Sequence, residues 1–321
     1  MNFSTVANCI ARVEAAKSRS GNAFYEVGNR PSAAAFRPFA WQPMGVWRDG
    51  VIVAAFAAAV AFGGGSGAVA EDRPQPASAC SGEIIARGTA SRVGDGRNFV
   101  LDDGREVQLA AIEAPPPSQD SGVAPGSAAA RDGLAALLAG AEIVLKQAEP
   151  QKTDRYGRIV AYAFVTGDGS ERFIQGELLA AGFVRVAPRV SSRACALELL
   201  SRENTARRGK LGLWAGSYYD SLDAENPAAV LASRGRFALV EGKVVSVRES
   251  GATIYVNFGR RWSTDFTVTI LKRNERSFTA AGLEPKKLSG RRIRVRGWIE
   301  ERGGPWIEAA RPEQIELTDR E

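Results

Sequence analysis

Residues 154–164, DRYGRIVAYAF, place Asp154, Arg155, Tyr156 and Arg158 directly before a run of β-branched and aromatic residues. From Arg158 the run RIVAYAFV reads as a strand, with EIVLKQA from Glu142 as a second strand before it and Gly167-Asp168-Gly169 turning the chain afterwards. Upstream, EIIARGTASRVG from Glu83 is strand-like and runs into the turn Gly94-Asp95-Gly96. NFVLDDGREVQLAAI from Asn98 reads as a hairpin turned at Asp103-Gly104. A Pro/Ser/Gly loop covers 115–127, and SAAARDGLAALLAG reads as a helix closed by Gly140. Downstream, ERFIQGELLAAG and CALELLSRENTARR carry helical patterns.

The order β-β-β-α-β-β with two trailing helices predicts a five-stranded barrel of OB type with helical additions over 82–215. Residues 216–236 hold turn residues without a strong period and read as a linker. A second β-rich block spans 237–321: FALVEGKVVSVRES, TIYVNFG and DFTVTILKR read as strands, NERSFTAAG as a short helix, and RRIRVRGWIEE and PWIEAA as further strands. The expected class is therefore mainly β with α, two OB-type barrels in tandem.

The 321 residues carry 42 Lys and Arg against 36 Asp and Glu, a formal net charge of +6. That balance suits either an anionic partner such as nucleic acid or a plain solvated basic face. There is no histidine, which excludes Ser-His-Asp catalysis, imidazole-ligated zinc and histidine acid/base chemistry. Chemistry here must use carboxylates, Arg, Lys, Tyr or an oxygen-bound metal.

Residues 51–62, VIVAAFAAAVAF, form an apolar run flanked by Met44 and Arg48 before it and by Ala68-Val69-Ala70 after it. The run is shorter than the ~20 residues of a spanning helix, and the flanks fit a signal peptide over 44–70; an uncleaved anchor is the alternative. Residues 1–43 then read as a mis-called start or disordered extension, and 71–81 as a linker. The expected location is the periplasm or outside the cell, with no stable membrane anchor after cleavage. Cleavage would remove Cys9 and leave Cys80 and Cys195, either a disulfide pair or two buried thiols.

DRYGRIVAYAF, LAAIEAP from Leu109 to Pro115, GELLAAGFVRV from Gly176 to Val186 and ENTARRGKLGLW from Glu203 to Trp214 follow one another in the order of the thermonuclease (staphylococcal nuclease-like) family. Residues 82–215 resemble that family. The resemblance implies a calcium ion held by carboxylates, a glutamate as general base, and two arginines that offset charge on a phosphodiester in the transition state. Carried over position by position, the family pattern is mostly replaced. Arg97 and Asn98 stand where an aspartate and a threonine are expected, Gln108 replaces the first arginine, and Pro116 replaces the general base. Glu113 is a lengthened form of one metal carboxylate. Arg158 is the retained arginine, and Arg155 and Tyr156 stand at positions that contact nucleotide in the family.

Arg97 puts positive charge where a cation would need negative charge. Unit charges about 4 Å apart interact by roughly 4 kcal/mol at an effective dielectric near 20, so a divalent ion would meet about 8 kcal/mol of repulsion. Losing a general base removes a further factor of about 10²–10⁴. The expectation is a phosphate- or nucleic-acid-binding protein with little calcium-dependent hydrolysis and no cofactor. Its alternatives are a nuclease with a rebuilt site and an exported protein-interaction module whose partner is unknown. Arg97 either meets phosphate itself or is an unengaged loop residue. A calcium site, if kept, would draw on Glu113 and Asp95, with Asp102 and Asp103 as replacements, although each of these aspartates also suits its turn. In the second block, Arg260 and Arg261 lie among aromatics in YVNFGRRW, and RRIRVRGW alternates arginines along a strand. Such faces bind nucleic acid or simply face solvent.

Overall fold

The β-rich run that follows Arg158 becomes the central strand of the first sheet. In chain order the first block contains β1 (Ile84–Gly88), β2 (Ala90–Val93), β3 (Asn98–Leu101), β4 (Glu106–Leu109), β5 (Ile112–Glu113), α1 (Ser127–Leu138), β6 (Glu142–Gln147), β7 (Ile159–Gly167), β8 (Ser170–Phe173), α2 (Ile174–Ala180), β9 (Arg185–Val186) and α3 (Arg193–Arg208). The computed structural model describes residues 78–117, 124–167, 170–190 and 192–318. The expectations for the extension, the signal peptide at 44–70 and most of the 71–81 linker lie outside the described residues.

The sheet runs β1-β6-β7-β4-β3-β2, with β8 added to β7. Its two ends, β1 and β2, are successive pieces of one stretch parted only by Thr89. One bent strand thus serves both edges, and the sheet wraps into an OB-type arrangement without a closing hydrogen-bonded ladder. The expected closed barrel is in this respect open. Alternation along the strands sends Phe99, Leu101, Val107, Leu109, Ile143 and Leu145 inward, all fully or almost fully buried. Parallel pairing of β4 with β7 sets Gln108 opposite Val160, so the start of β7 lies beside the hairpin end of β3 and β4. Buried Gln175 accepts from the Ala163 N–H at 3.1 Å and donates to the Ala161 carbonyl at 3.1 Å, pinning α2 onto β7. Helix α1 ends as expected: Gly140 takes φ 66°, a left-handed conformation that glycine adopts without steric cost.

Cys80 is bonded to Cys195, with Cα atoms 4.5 Å apart. The partner sits in the first turn of α3, where the Ser192 hydroxyl accepts the Cys195 N–H at 3.2 Å. Ser78 and the Ala79 N–H add hydrogen bonds to Glu198 on the same helix. The bond ties the start of the domain to its last helix across 115 residues.

The stretch expected as a linker is structured. After a 3₁₀ turn at Gly212–Ala215 that closes the first block, it holds a second at Ser217–Tyr219, strand β10 (Leu222–Asp223) and helix α4 (Pro227–Leu231). Tyr219 hydroxyl donates to the Pro125 carbonyl at 2.9 Å, and β10 pairs in parallel with the next strand. Such irregular short elements leave no periodicity to read. The C-terminal block then contains β11 (Phe237–Lys243), β12 (Ser246–Ser250), β13 (Thr253–Asn257), β14 (Thr267–Leu271), α5 (Lys272–Ala280), β15 (Arg292–Trp298), β16 (Glu300–Arg302), β17 (Gly304–Glu308) and β18 (Ile315–Leu317). These form a four-stranded sheet β10-β11-β15-β18 and a five-stranded sheet β12-β13-β14-β17-β16. Of the four places where the chain changes sheet, β11–β12 and β15–β16 are parted by only one or two residues, so the block is OB-like but consists of two sheets joined by nearly continuous strands.

The alternating arginines of β15 are not an open nucleic-acid face. Arg296 is 1 % exposed and donates to both oxygens of Glu203 on α3, at 2.8 and 3.1 Å, and to Glu316 on β18 at 2.7 Å. Arg294 pairs with Glu241 at 2.8 Å, and Arg207 of α3 reaches Glu316 at 2.9 Å. The network joins the last helix of the first block to the sheet of the second. Burial alone would lower the Arg296 pKa, but Glu203 and Glu316 raise it. Burial would raise Glu316, yet Arg296 and Arg207 hold it at about 2.

Two outcomes are expected. Reduction of the protein, or Cys80→Ser, lowers stability by about 2–4 kcal/mol in denaturant unfolding. Because the folded Glu316 pKa lies below its ordinary 4.5, its stabilisation is complete above that pH and is lost as pH falls toward about 2. That shift corresponds to a loss on the order of 3 kcal/mol. Thermal unfolding followed against pH shows a drop over this window that Glu316→Gln removes.

Candidate functional site

Two aspartate-led turns build the site at one end of the first sheet. In the first, Asp95 Oδ1 accepts from the N–H groups of Arg97 and Asn98, both at 2.8 Å. Asn98 Nδ2 donates to both Asp95 oxygens, at 3.0 and 2.8 Å. The Asp95 carboxylate is thereby consumed in shaping the loop. Its neighbour Gly96 is pressed onto α1, where a Cβ would stand 2.6 Å from the Ala130 Cβ. This contact holds the loop down and leaves Arg97 to project from it.

In the second turn Asp154 Oδ1 accepts from the N–H groups of Tyr156 and Arg158, at 2.8 and 3.0 Å. Gly157, at φ 81°, closes it. Asp154 Oδ2 accepts from both Arg158 Nε at 2.8 Å and Nη2 at 2.6 Å, two charge-assisted bonds to one oxygen that orient the guanidinium. Burial raises the Asp154 pKa, but hydrogen bonds from Arg158 and Tyr156 outweigh it and the net direction is down. Arg158 Nη1 lies 3.5 Å from Asn98 Oδ1, so the two turns meet. Tyr156 is 66 % exposed. The Arg155 and Arg158 guanidinium carbons sit 4.7 and 5.2 Å from its ring centroid, and Arg155 Nη2 donates to its hydroxyl at 2.5 Å.

Glu113 lies on β5, which pairs with β9 and brings Arg185 opposite it. Arg97 Nη1 donates to Glu113 Oε2 at 2.8 Å and to the Ile112 carbonyl at 3.2 Å. Burial raises the Glu113 pKa, and Arg97 and Arg185 pull against that without reversing it. Behind it, Arg185 is buried between the rings of Tyr219 and Phe237, at 4.8 and 4.7 Å, and burial lowers its pKa to about 10. Pro116 is exposed on the loop beyond Glu113 and offers no acid or base.

Asp95, Arg97, Asn98, Glu113 and Arg158 thus form one connected cluster, with Arg155 and Tyr156 on its rim. Arg260 and Arg261 stand elsewhere, on the exposed loop between β13 and β14. Arg97 matches neither sequence reading outright: it is half-buried and engaged, but by Glu113. The β5–β9 pairing and Arg185 were missed, since two-residue strands leave no pattern. The part of Asp154 was also missed, although an Asp four residues before an Arg, in a turn with glycine, is a readable signal.

Over residues 106–216 the chain matches the family model described as staphylococcal nuclease homologue. The chain carries a staphylococcal nuclease homologue domain. No curated protein matches the chain. The matched part of the nuclease-homologue domain takes in Gln108, Glu113, Pro116 and the DRYGR turn, and starts downstream of Asp95 and Arg97.

Calcium is the ion this family implies, and the donors present do not fit it. Both Asp95 oxygens are taken by the loop, and Glu113 is neutralised by the Arg97 guanidinium standing 2.8 Å away. Among the described residues no three acidic or cysteine side chains converge. Asp95 and Glu113, expected as residual ligands, hold arginine and backbone instead. Arg97 and Arg158 are each held by a carboxylate, Glu113 at 2.8 Å and Asp154 at 2.6 Å, and a guanidinium is a group that binds phosphate rather than a metal. Millimolar calcium is expected to leave the melting temperature unchanged, measured by calorimetry with and without chelator. A rise of several degrees would show a working site.

Proposed function

We propose that the nuclease-homologue domain binds the phosphodiester backbone of nucleic acid without metal and hydrolyses it slowly or not at all. The observation that carries this reading is the Arg97–Glu113 ion pair in the place of a calcium carboxylate. Arg97 and Arg158 supply two guanidinium groups, Arg158 within 3.5 Å of Asn98 Oδ1, and Tyr156 offers an exposed ring for a base. Glu113 tempers Arg97 in the free protein, and an incoming phosphate competes for the same N–H groups. Without a free carboxylate at position 116 there is no base to activate water.

The same reading places the protein in the periplasm or outside the cell. A disulfide between Cys80 and Cys195 suits an oxidising compartment, and the segment 44–70 has the order of a signal peptide. Among the described residues no helix is long and apolar enough to cross a membrane.

The decisive experiment incubates the purified protein with single-stranded DNA in calcium and in chelator, reading cleavage on gels and binding by anisotropy. Binding in both, without cleavage, and weakened by salt and by Arg158→Ala, is the expected outcome. Calcium-dependent cleavage abolished by Arg158→Ala would contradict it.

A further inference from the structure

A single exposed apolar side chain is ordinary; one set beside two exposed guanidinium groups on a hydrogen-bonded loop forms a recognisable binding chemistry. Trp262 is 76 % exposed, the most exposed of the large apolar side chains described. It stands on the loop between β13 and β14, directly after Arg260 and Arg261, both exposed. The loop is built to hold this residue out. Asp265 Oδ2 accepts the Arg261 N–H at 2.7 Å, and the Arg261 carbonyl accepts the N–H groups of Thr264 and Asp265 at 2.9 and 2.8 Å. On its other side the β16–β17 turn abuts it, since a Cβ on Gly303 would lie 3.1 Å from the Ser263 carbonyl oxygen. That turn adds Arg302, whose guanidinium lies 3.6 Å above the Trp306 ring and 3.8 Å from Glu300.

We infer that this loop is a second nucleic-acid contact, with Trp262 as a stacking platform for an unpaired base and Arg260 and Arg261 as phosphate ligands. A rigid aromatic flanked by guanidinium groups is what sequence-tolerant single-strand recognition uses, because every base has a face to stack and a phosphate beside it. The alternative of insertion into a lipid surface is the poorer fit. Ser263, Thr264 and Asp265 follow Trp262 directly, so one indole would enter with no apolar neighbour to deepen the contact. The site lies in the OB-like block, outside the matched nuclease-homologue residues. It deepens the reading above by naming single strands as the ligand, and its test separates the two.

The test uses the full chain in chelator with a fluorescein-labelled oligothymidylate, comparing wild type, Trp262→Ala, Trp262→Phe and Arg158→Ala by anisotropy. Stacking contributes about 1–3 kcal/mol per base, so Trp262→Ala is expected to weaken binding about five- to 150-fold at unchanged melting temperature, with most affinity kept by Trp262→Phe. Wild-type affinity in Trp262→Ala overturns the inference whatever Arg158→Ala does. Loss in Trp262→Ala with none in Arg158→Ala supports this loop and removes the Arg97–Arg158 site. No binding by wild type overturns both. Sedimentation with phosphatidylglycerol vesicles that needs Trp262, together with oligonucleotide binding that does not, assigns the loop to membrane instead.

Discussion

Glu203 is a fully buried carboxylate, and the two blocks and the site all lean on it. Its oxygens accept from Arg296 of the C-terminal sheet, while Oε2 also takes the Val186 N–H at 2.6 Å. A buried charge is tolerable only when paired and hydrogen-bonded, so Glu203 forces β9, α3 and β15 into one arrangement. Val186 is the β9 residue paired with Ile112 of β5, and Arg185 beside it is paired with Glu113. The placement of Glu113, and through it of Arg97, therefore traces back to a carboxylate on a different helix.

From that frame the chemistry of the cluster follows. A nuclease site of the family type gathers negative charge to hold a cation; here the same corner gathers Arg97 and Arg158 and spends its carboxylates on them, Asp95 on the Arg97 loop, Glu113 on Arg97 itself, Asp154 on Arg158. This corner presents guanidinium groups, and by the family resemblance Gln108 stands where an arginine is expected and Pro116 where the general base is. Burial of Glu113 beside two arginines adds to this, because its negative charge is committed internally and is not offered to solvent cations.

Much of the architecture was legible because it rests on local signals. Strand alternation, the Asp103-Gly104 turn, Gly140 at the end of α1 and the DRYGR turn each declare themselves within a few residues. The departures at Arg97, Gln108 and Pro116 rest instead on the family resemblance, taken position by position. Long-range pairing was not legible. RRIRVRGW looked like a basic surface strand, and only the fold brings Glu203, Glu241 and Glu316 against its arginines. The structured path through 216–236 was hidden likewise, since its stability comes from Tyr219 on Pro125 and from β10 on β11 rather than from any repeat in its own residues. Bent strands shared between sheets also escaped, because a strand that changes partner mid-way keeps the same alternation.

The central claim is that a guanidinium stands in for the metal. Calorimetric titration of a single-stranded oligonucleotide into wild type and Arg97→Asp, each in chelator and in calcium, tests it most directly. The account predicts equal wild-type affinity in both buffers and loss of binding by Arg97→Asp in chelator. Wild-type binding that appears only with calcium would contradict it.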